Sequence, residues 1–498
     1  MQNLQKLFDI NKGTYGEPIK DRGGMYSKQL NVWVKEDLQE LVQSLDAKEQ
    51  GYIDCLAAIA LAVGQIHKKQ LEDGQNHVTW PKEFFEQDGV EKFTQAIKSF
   101  PQIGDPFAVV SDKFTITPYS RQYAEHLTDF VKAAYKASEY TEDFATPLAP
   151  YLKQLVKTFS FNSNKESDLE DMRATDTAWV NTKAEAKYLI FAEPTEVYQD
   201  PLRPLLGGNN SVLKIAGEYE AKQGLDFWKN MFEFRLMVKQ DSQVSLKEMQ
   251  DLRDTSKKLF MDQNYKPVPV SLEFRELYFA AGQGAYPAKT AKNYPNFLDI
   301  RKDVGYKNTL YTNMLEQALV LEIVPNLEKA FGILNKQPQE LMRGRVLAVL
   351  AHEENHPFKR MEATTLEELK ATVNGLNALI ESPTFLEQDI KDAFLVDIGG
   401  ALEVHIKMRN AKNEGDINKQ NALEAYYVAD TIFVNYFAQA GVLKTDNTEK
   451  ITQIDFTNLE AGAKGLMCLL EDVRTGKTTA EQVYKEYKKE DIWEKFNV

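Results

Sequence analysis

Between Ala351 and Pro357 the chain reads A-H-E-E-N-H-P, which contains the pattern H-E-x-x-H. No other stretch restricts the fold as much, because the pattern acquires meaning only on a helix. There His352 and His356, four residues apart, project from one face and can share a metal, with Glu353 beside them to hold a water. Pro338 suits a first helical position, and Leu341, Met342, Arg345, Val346, Val349, Leu350 and Ala351 recur at intervals of three and four. The spacing therefore predicts a helix from Pro338 through the histidines, ended by Pro357. A catalytic zinc usually takes three protein donors and leaves a fourth position to water. Glu368 is the candidate third donor. It lies in T-T-L-E-E-L-K-A-T-V-N-G-L-N-A-L, a predicted second helix starting near Thr365, and the short connection makes the two helices antiparallel neighbours, so that Glu368 can face both histidines. Two blander readings stand beside this one. Glu368 can serve as the acid of a capping box begun by Thr365, and the histidine pair, with Glu354 and Asn355 between them, can be a solvated helix end.

The remainder of the chain sets bounds. Its 498 residues, 43% of them hydrophobic, suffice for two or three domains with their own cores. A net charge of -14 with no basic stripe argues against a nucleic-acid partner, because a phosphate backbone would be repelled. No segment approaches the ~18 apolar residues of a membrane span, and the N-terminal stretch has no apolar run leading to a small-residue cleavage site, so a cytoplasmic location is expected. Cys55 and Cys468 both sit in apolar helical patterns and read as buried free thiols. His67, His77 and His126 have no partner at ligand spacing and read as surface or capping residues. G-Q-G-A-Y-P at 282–287 lacks the final glycine of a dinucleotide fingerprint, and T-G-K-T at 475–478 lacks the earlier glycine of a phosphate loop.

Helical patterns dominate residues 1 to about 105, with strand character between Pro106 and Pro118 and helix again from Pro118 to Leu155. A second strand-rich region is expected from Thr177, then a turn at Gly207-Gly208-Asn209-Asn210 and a helical stretch from Val212 to about Lys239. A charged helix follows from Ser245 to Met261, and P-V-P-V-S-L-E-F-R-E-L-Y-F alternates as a strand. From Tyr311 onward the chain reads as almost entirely helical.

The order of these pieces resembles the dipeptidyl peptidase III-like zinc hydrolases, in particular the divergent branch found alone in bacteria or fused to Nudix domains. The resemblance runs from about Thr115 to the C-terminus. I-T-P-Y-S-R-Q-Y-A-E-H-L is similar to the family's P-Y-S-x-x-Y segment, and D-T-A-W-V followed by E-V-Y-Q-D-P-L is similar to its A-W and E-x-Y-x-D segments. R-E-L-Y-F-A-A-G resembles its strand before a long loop, and T-L-E-E-L-K-A-T-V-N-G-L-N-A-L resembles L-E-E-A-K-A-D-x-x-G-L-x-A-L, whose second glutamate, Glu368 here, is a zinc ligand. The resemblance implies that His352, His356 and Glu368 bind one zinc ion, that Glu353 is the general base, and that short peptides are hydrolysed, with release of N-terminal dipeptides.

It also implies a mainly α fold with a smaller mixed α/β part, in two lobes around a cleft: a mixed helix and β-barrel-like lobe of residues 1–207 plus 246–310, and a helical lobe of residues 208–245 plus 311–498 carrying the H-E-x-x-H helix. Glu196 and Tyr198 are candidates to line the cleft, with strand packing as their alternative. The chain departs from the family pattern in three places. The glycine-rich turn after the second histidine is replaced by P-F-K-R, the acid that orients a zinc histidine is Thr372, and a histidine before Asn421-Ala422-Leu423 is missing. His405 is the nearby histidine that could substitute. Against the peptidase stands a reading in which a catalytically impaired descendant serves as a metal- or peptide-binding scaffold.

Overall fold

The structure, a computed structural model, describes residues 1–75, 88, 91–92, 95–96, 99, 108–110, 116–195, 231–241, 243–260, 270–285, 290–295, 298–332, 336–356, 358, 361, 364–415 and 417–496. Glu196, Tyr198, His77 and the turn at 207–210 lie outside them. The chain is mostly helical and divides into two compact units, Met1–Gln240 with Pro267–Met314, and Asp241–Lys266 with Leu315–Val498.

The first unit is built around a mixed sheet. Its spine is β8 (Val270–Gly282), thirteen residues long. Along one edge β8 pairs antiparallel with β7 (Met231–Lys239), with a register shift between Leu236 and Met237. Along the other edge it runs parallel to β10 (Tyr306–Tyr311) through its first half and antiparallel to β3 (Val32–Lys35) through its second. β6 (Tyr188–Thr195) extends the sheet beyond β7, β9 (Ala291–Tyr294) beyond β10, and β2 (Gly24–Ser27) and β1 (Ile19–Asp21) beyond β3. A short separate pair, β4 (Ala108–Val110) and β5 (Ile116–Pro118), lies outside this sheet. Helix α1 (Ala47–Gln75) packs on β7 and β8, and α2 (Ala124–Ser138), α3 (Ala149–Phe159) and α4 (Leu169–Val180) follow one another in contact.

Every residue of β6 is buried, and so is every residue of β7 except Lys239. Charged side chains on these inner positions are therefore paired. Arg235 donates to Glu233, which also receives Lys292, while Arg275 and Lys307 both bind Glu273. Buried ions survive in this way because each finds an opposite charge at contact distance, and removal of one partner would strand the other.

The second unit is helical. It comprises α5 (Leu246–Phe260), α6 (Pro338–Asn355), α7 (Thr364–Glu381), α8 (Glu387–Glu414), α9 (Ile417–Gln439) and α10 (Leu459–Arg474), with a small antiparallel pair, β11 (Leu443–Thr445) and β12 (Ile451–Ile454). α6 packs against α5, α7 and α8, and α7 packs also on α9 and α10. The start of α6 is fixed by Pro338 at its first turn and by a capping box in which Glu340 accepts from the Gln337 amide. Among the described helices none is long and apolar enough to cross a membrane.

Several sequence expectations need correction. The stretch read as helix up to Lys239 ends in β7, because its charged residues face each other inside the sheet and mask the alternation. The residues after Thr177 complete α4 before β6 begins at Tyr188. β7 is hydrogen-bonded into the sheet of the first unit, and α5 packs on α6 in the second. Cys55 is buried but Cys468 is exposed on α10. His67 is buried rather than superficial, accepting from Asn31 Nδ2 at Nδ1 and donating from Nε2 to Gln283.

Candidate metal centre

α6 and α7 run antiparallel in close contact. Ala351 lies against Gly375, His352 against Thr372, and His356 against Glu367 and Glu368, so the sequence number rises along one helix as it falls along the other. This register brings His352, His356 and Glu368 together, with one ligand atom from each lying within 4.8 Å of the others. His352 Nε2 stands 3.0 Å from His356 Nε2. Glu368 Oε2 is 3.3 Å from the first nitrogen and 3.9 Å from the second. Glu368 is 7% exposed, so its carboxylate is committed inward to the histidines.

The outer nitrogens settle which atoms face the centre. The Thr372 hydroxyl donates to the Glu368 carbonyl at 3.3 Å and so accepts from His352 Nδ1, 2.9 Å away. His356 Nδ1 donates to the Glu367 carboxylate at 3.3 Å. With both Nδ1 atoms protonated, both Nε2 lone pairs point inward at each other. In that tautomer two lone pairs and a carboxylate meet at this separation, and either a metal ion or a proton on one Nε2 must lie among them.

The fit to a metal follows from the spacing. Donors about 2.0–2.1 Å from a tetrahedral zinc stand about 3.4 Å apart, and the observed separations of 3.0, 3.3 and 3.9 Å bracket that value. Electrostatics point the same way. Burial opposes charge on His352, yet the hydrogen bond that a protonated imidazole gives to Glu368 and the charges of Glu368, Glu353 and Asp397 outweigh it and raise the imidazole's pKa. Burial pushes Glu368 upward, but His352 and His356 hold it below the usual carboxylate range. Glu353 is half-buried on the same helix, one residue from His352.

Other residues brace these donors, and sequence reasoning missed them. Glu354, 1% exposed, takes a two-point hydrogen bond from Arg253 on α5, at 2.9 and 3.1 Å. Fully buried Asn355 donates to Ser256 and to the Ala351 carbonyl. The two residues between the histidines that suggested a solvated helix end thus anchor the opposite face of α6 in the interior. Lys370, 2% exposed, donates to the carbonyls of Asn355, His356 and Phe358. Asp397 on α8 and Asp430 on α9 are half-buried acids. Burial pushes Asp397 up to about 7 against the pull of Arg345 and His352, and burial with the charge of Asp397 pushes Asp430 up to about 8. The available signal for both was a lone acid inside an apolar helical run, F-L-V-D-I and Y-V-A-D-T-I-F.

His405 is not among the converging donors. Its ring stacks on Trp493 with centroids 4.7 Å apart and planes 13° apart, and burial pushes it down to about 4, which leaves it neutral.

No protein-family model matches the chain, and no curated protein matches it. Solved structures do. DPP III from Caldithrix abyssi superposes with a TM-score of 0.61 at 16% identity, over 91% of each chain. Dipeptidyl-peptidase III from Corallococcus sp. strain EGB superposes with a TM-score of 0.58, also at 16% identity, over 80% of this chain and 72% of that one. At this identity the likeness speaks for the fold, and in fold the chain is dipeptidyl peptidase III-like.

Proposed function

We propose that the chain is a zinc-dependent peptidase that hydrolyses short peptides, releasing dipeptides from their amino termini. The observation that carries this reading is the inward-facing trio of His352 Nε2, His356 Nε2 and Glu368 Oε2, whose spacing suits zinc. The names of its structural neighbours, both dipeptidyl peptidases III, support the substrate class. Two free cysteines suit a reducing cytoplasm.

Zinc in such a place supplies Lewis acidity, acidifying a water and polarising a scissile carbonyl. The chain's residues do the rest. Thr372 and Glu367 hold the imidazoles in the tautomer that offers Nε2 inward. Glu353 takes the proton of the attacking water and delivers it to the departing amine. A scaffold that binds metal or peptide without cleaving it is the competing reading. On its side are the neutral hydroxyl of Thr372, a weaker acceptor than a carboxylate, and the stacking of His405 on Trp493, which leaves no obvious replacement for the missing histidine.

Glu353→Gln decides between them. The peptidase reading expects the variant to keep its zinc and lose cleavage of a peptide library, while His352→Ala or His356→Ala loses the metal. A zinc-loaded parent that cleaves nothing, with Glu353→Gln indistinguishable from it, would leave the scaffold.

A further inference from the structure

We infer that Lys370 is a positioning residue for the metal centre: its ammonium group caps the end of α6 and thereby holds His356 in place. The inference rests on the proposed zinc site and concerns how this chain builds it.

The last carbonyls of a helix lack partners within the helix, and a glycine in the left-handed conformation commonly closes such an end. Here the chain instead continues helical through His356, whose φ and ψ are -55° and -41°. That keeps the second histidine in register with the first, and of the last carbonyls Asn355 receives the Phe358 amide at a long 3.3 Å. Lys370 reaches across from α7 to the carbonyls of Asn355 and His356, at 3.0 and 3.2 Å, and takes the Phe358 carbonyl at 2.8 Å as well. An ammonium is suited to this: it has three donor directions, and its charge faces the negative end of the helix dipole.

The same group reaches the imidazole by a second route. Lys370 Nζ is 2.8 Å from Glu367 Oε1, the atom that accepts from His356 Nδ1. Glu367 Oε2 accepts from the Met361 amide at 2.8 Å. Lys370 thus fixes His356 by its backbone, through the carbonyl, and by its ring, through Glu367. The helix end is closed by a side chain from the neighbouring helix.

The test replaces Lys370 by Met, and by Gln, which retains an uncharged amide donor group, and measures three things on full-length protein. These are zinc affinity by competition with a chromophoric chelator, the visible absorption of the cobalt(II)-loaded protein, and urea denaturation of metal-free protein. Lys370→Met is expected to bind zinc about ten- to a hundred-fold more weakly, the usual cost of losing a group that orients a ligand, and to shift or weaken the cobalt band. Lys370→Gln should fall between it and the parent. Glu367→Gln combined with Lys370→Met should cost less than the product of the single losses, because both act on His356. A general structural role would lower urea stability and leave the cobalt spectrum of the folded protein unchanged, which would overturn the inference. Equal zinc affinity in parent and Lys370→Met would overturn it too. If the parent binds no zinc, the metal reading falls and takes this inference with it, an outcome distinguishable from the previous two.

Discussion

Gly375→Ala puts the contact between the two site helices to a direct test. A β-carbon added at Gly375 would stand 2.7 Å from the Ala351 carbonyl carbon, 2.8 Å from its oxygen and 3.0 Å from its β-carbon. Carbon atoms pack at about 3.5–4.0 Å, so α6 and α7 must separate by roughly 0.7 Å, and no rotamer change can spare them because two of the opposing atoms are backbone. Overpacking of this kind costs about 1–3 kcal/mol, against which alanine in a helix gains about 1 kcal/mol over glycine. The expected net loss is therefore about 0–2 kcal/mol in urea denaturation of the metal-free protein.

Gly400→Ala in α8 is the control, since nothing lies within 4 Å of its β-carbon; it should instead gain about 0.5–1 kcal/mol. Ala351 precedes His352 and Gly375 lies two turns beyond Glu368, so the displacement also stretches the separations of 3.3 and 3.9 Å between Glu368 and the histidines. Zinc affinity, measured by chelator competition, should drop about ten-fold or more in Gly375→Ala and stay unchanged in Gly400→Ala. A Gly375→Ala protein as stable as Gly400→Ala, with parental zinc affinity, would refute the argument that backbone contact at Ala351 sets the site.

Arg253→Met leaves Glu354 charged at 1% exposure, and urea denaturation should show a loss of about 3–5 kcal/mol; addition of Glu354→Leu should recover most of it, and a single-variant loss below about 1 kcal/mol would show that the pair is not desolvated. The third prediction concerns pH. Burial depresses His67 to about 4 from an ordinary 6.5, so the unfolded chain binds the extra proton between those values. Its contribution to stability is complete above the unfolded pKa and is lost as pH falls toward 4, to a total of about 3 kcal/mol. His67→Gln should therefore flatten the decline in urea stability measured from about pH 7 to about pH 4.5, relative to the parent; identical slopes would refute it.

How much of this was legible depended on whether the cause lay close by in sequence. The His352–His356–Glu368 trio was legible because four-residue spacing on one helix and a short connection to the next confine all three to a small volume. β8 was legible from its alternation. β7 was not: Glu233 and Arg235 sit on alternate residues where a half-exposed strand would face water, yet they satisfy each other inside the sheet. Arg253 and Glu354 are 101 residues apart, and nothing local distinguishes a glutamate destined for a buried arginine from one on a solvated helix. Lys370 failed to stand out for a related reason. Its acceptors are backbone carbonyls, which every residue carries, so only the fold reveals that three of them converge.

The central position of β8 carries a consequence for how the chain comes off the ribosome. Among the described strands, β3 and β7 each border β8, and neither pairs with the other. Until Gly282 has emerged, the growing polypeptide holds a ladder of β1, β2 and β3 and a ladder of β6 and β7, each ending in an unsatisfied row of amides and carbonyls that waits for the same missing strand. Open edges of this kind recruit whatever extended segment arrives first, including one from a neighbouring nascent chain. The segment 241–266, which includes α5, is synthesised during that interval although it belongs to the other unit. The delay thus falls where the half-built sheet is most open to mispairing, and any fragment that stops at residue 240 would retain that exposure permanently.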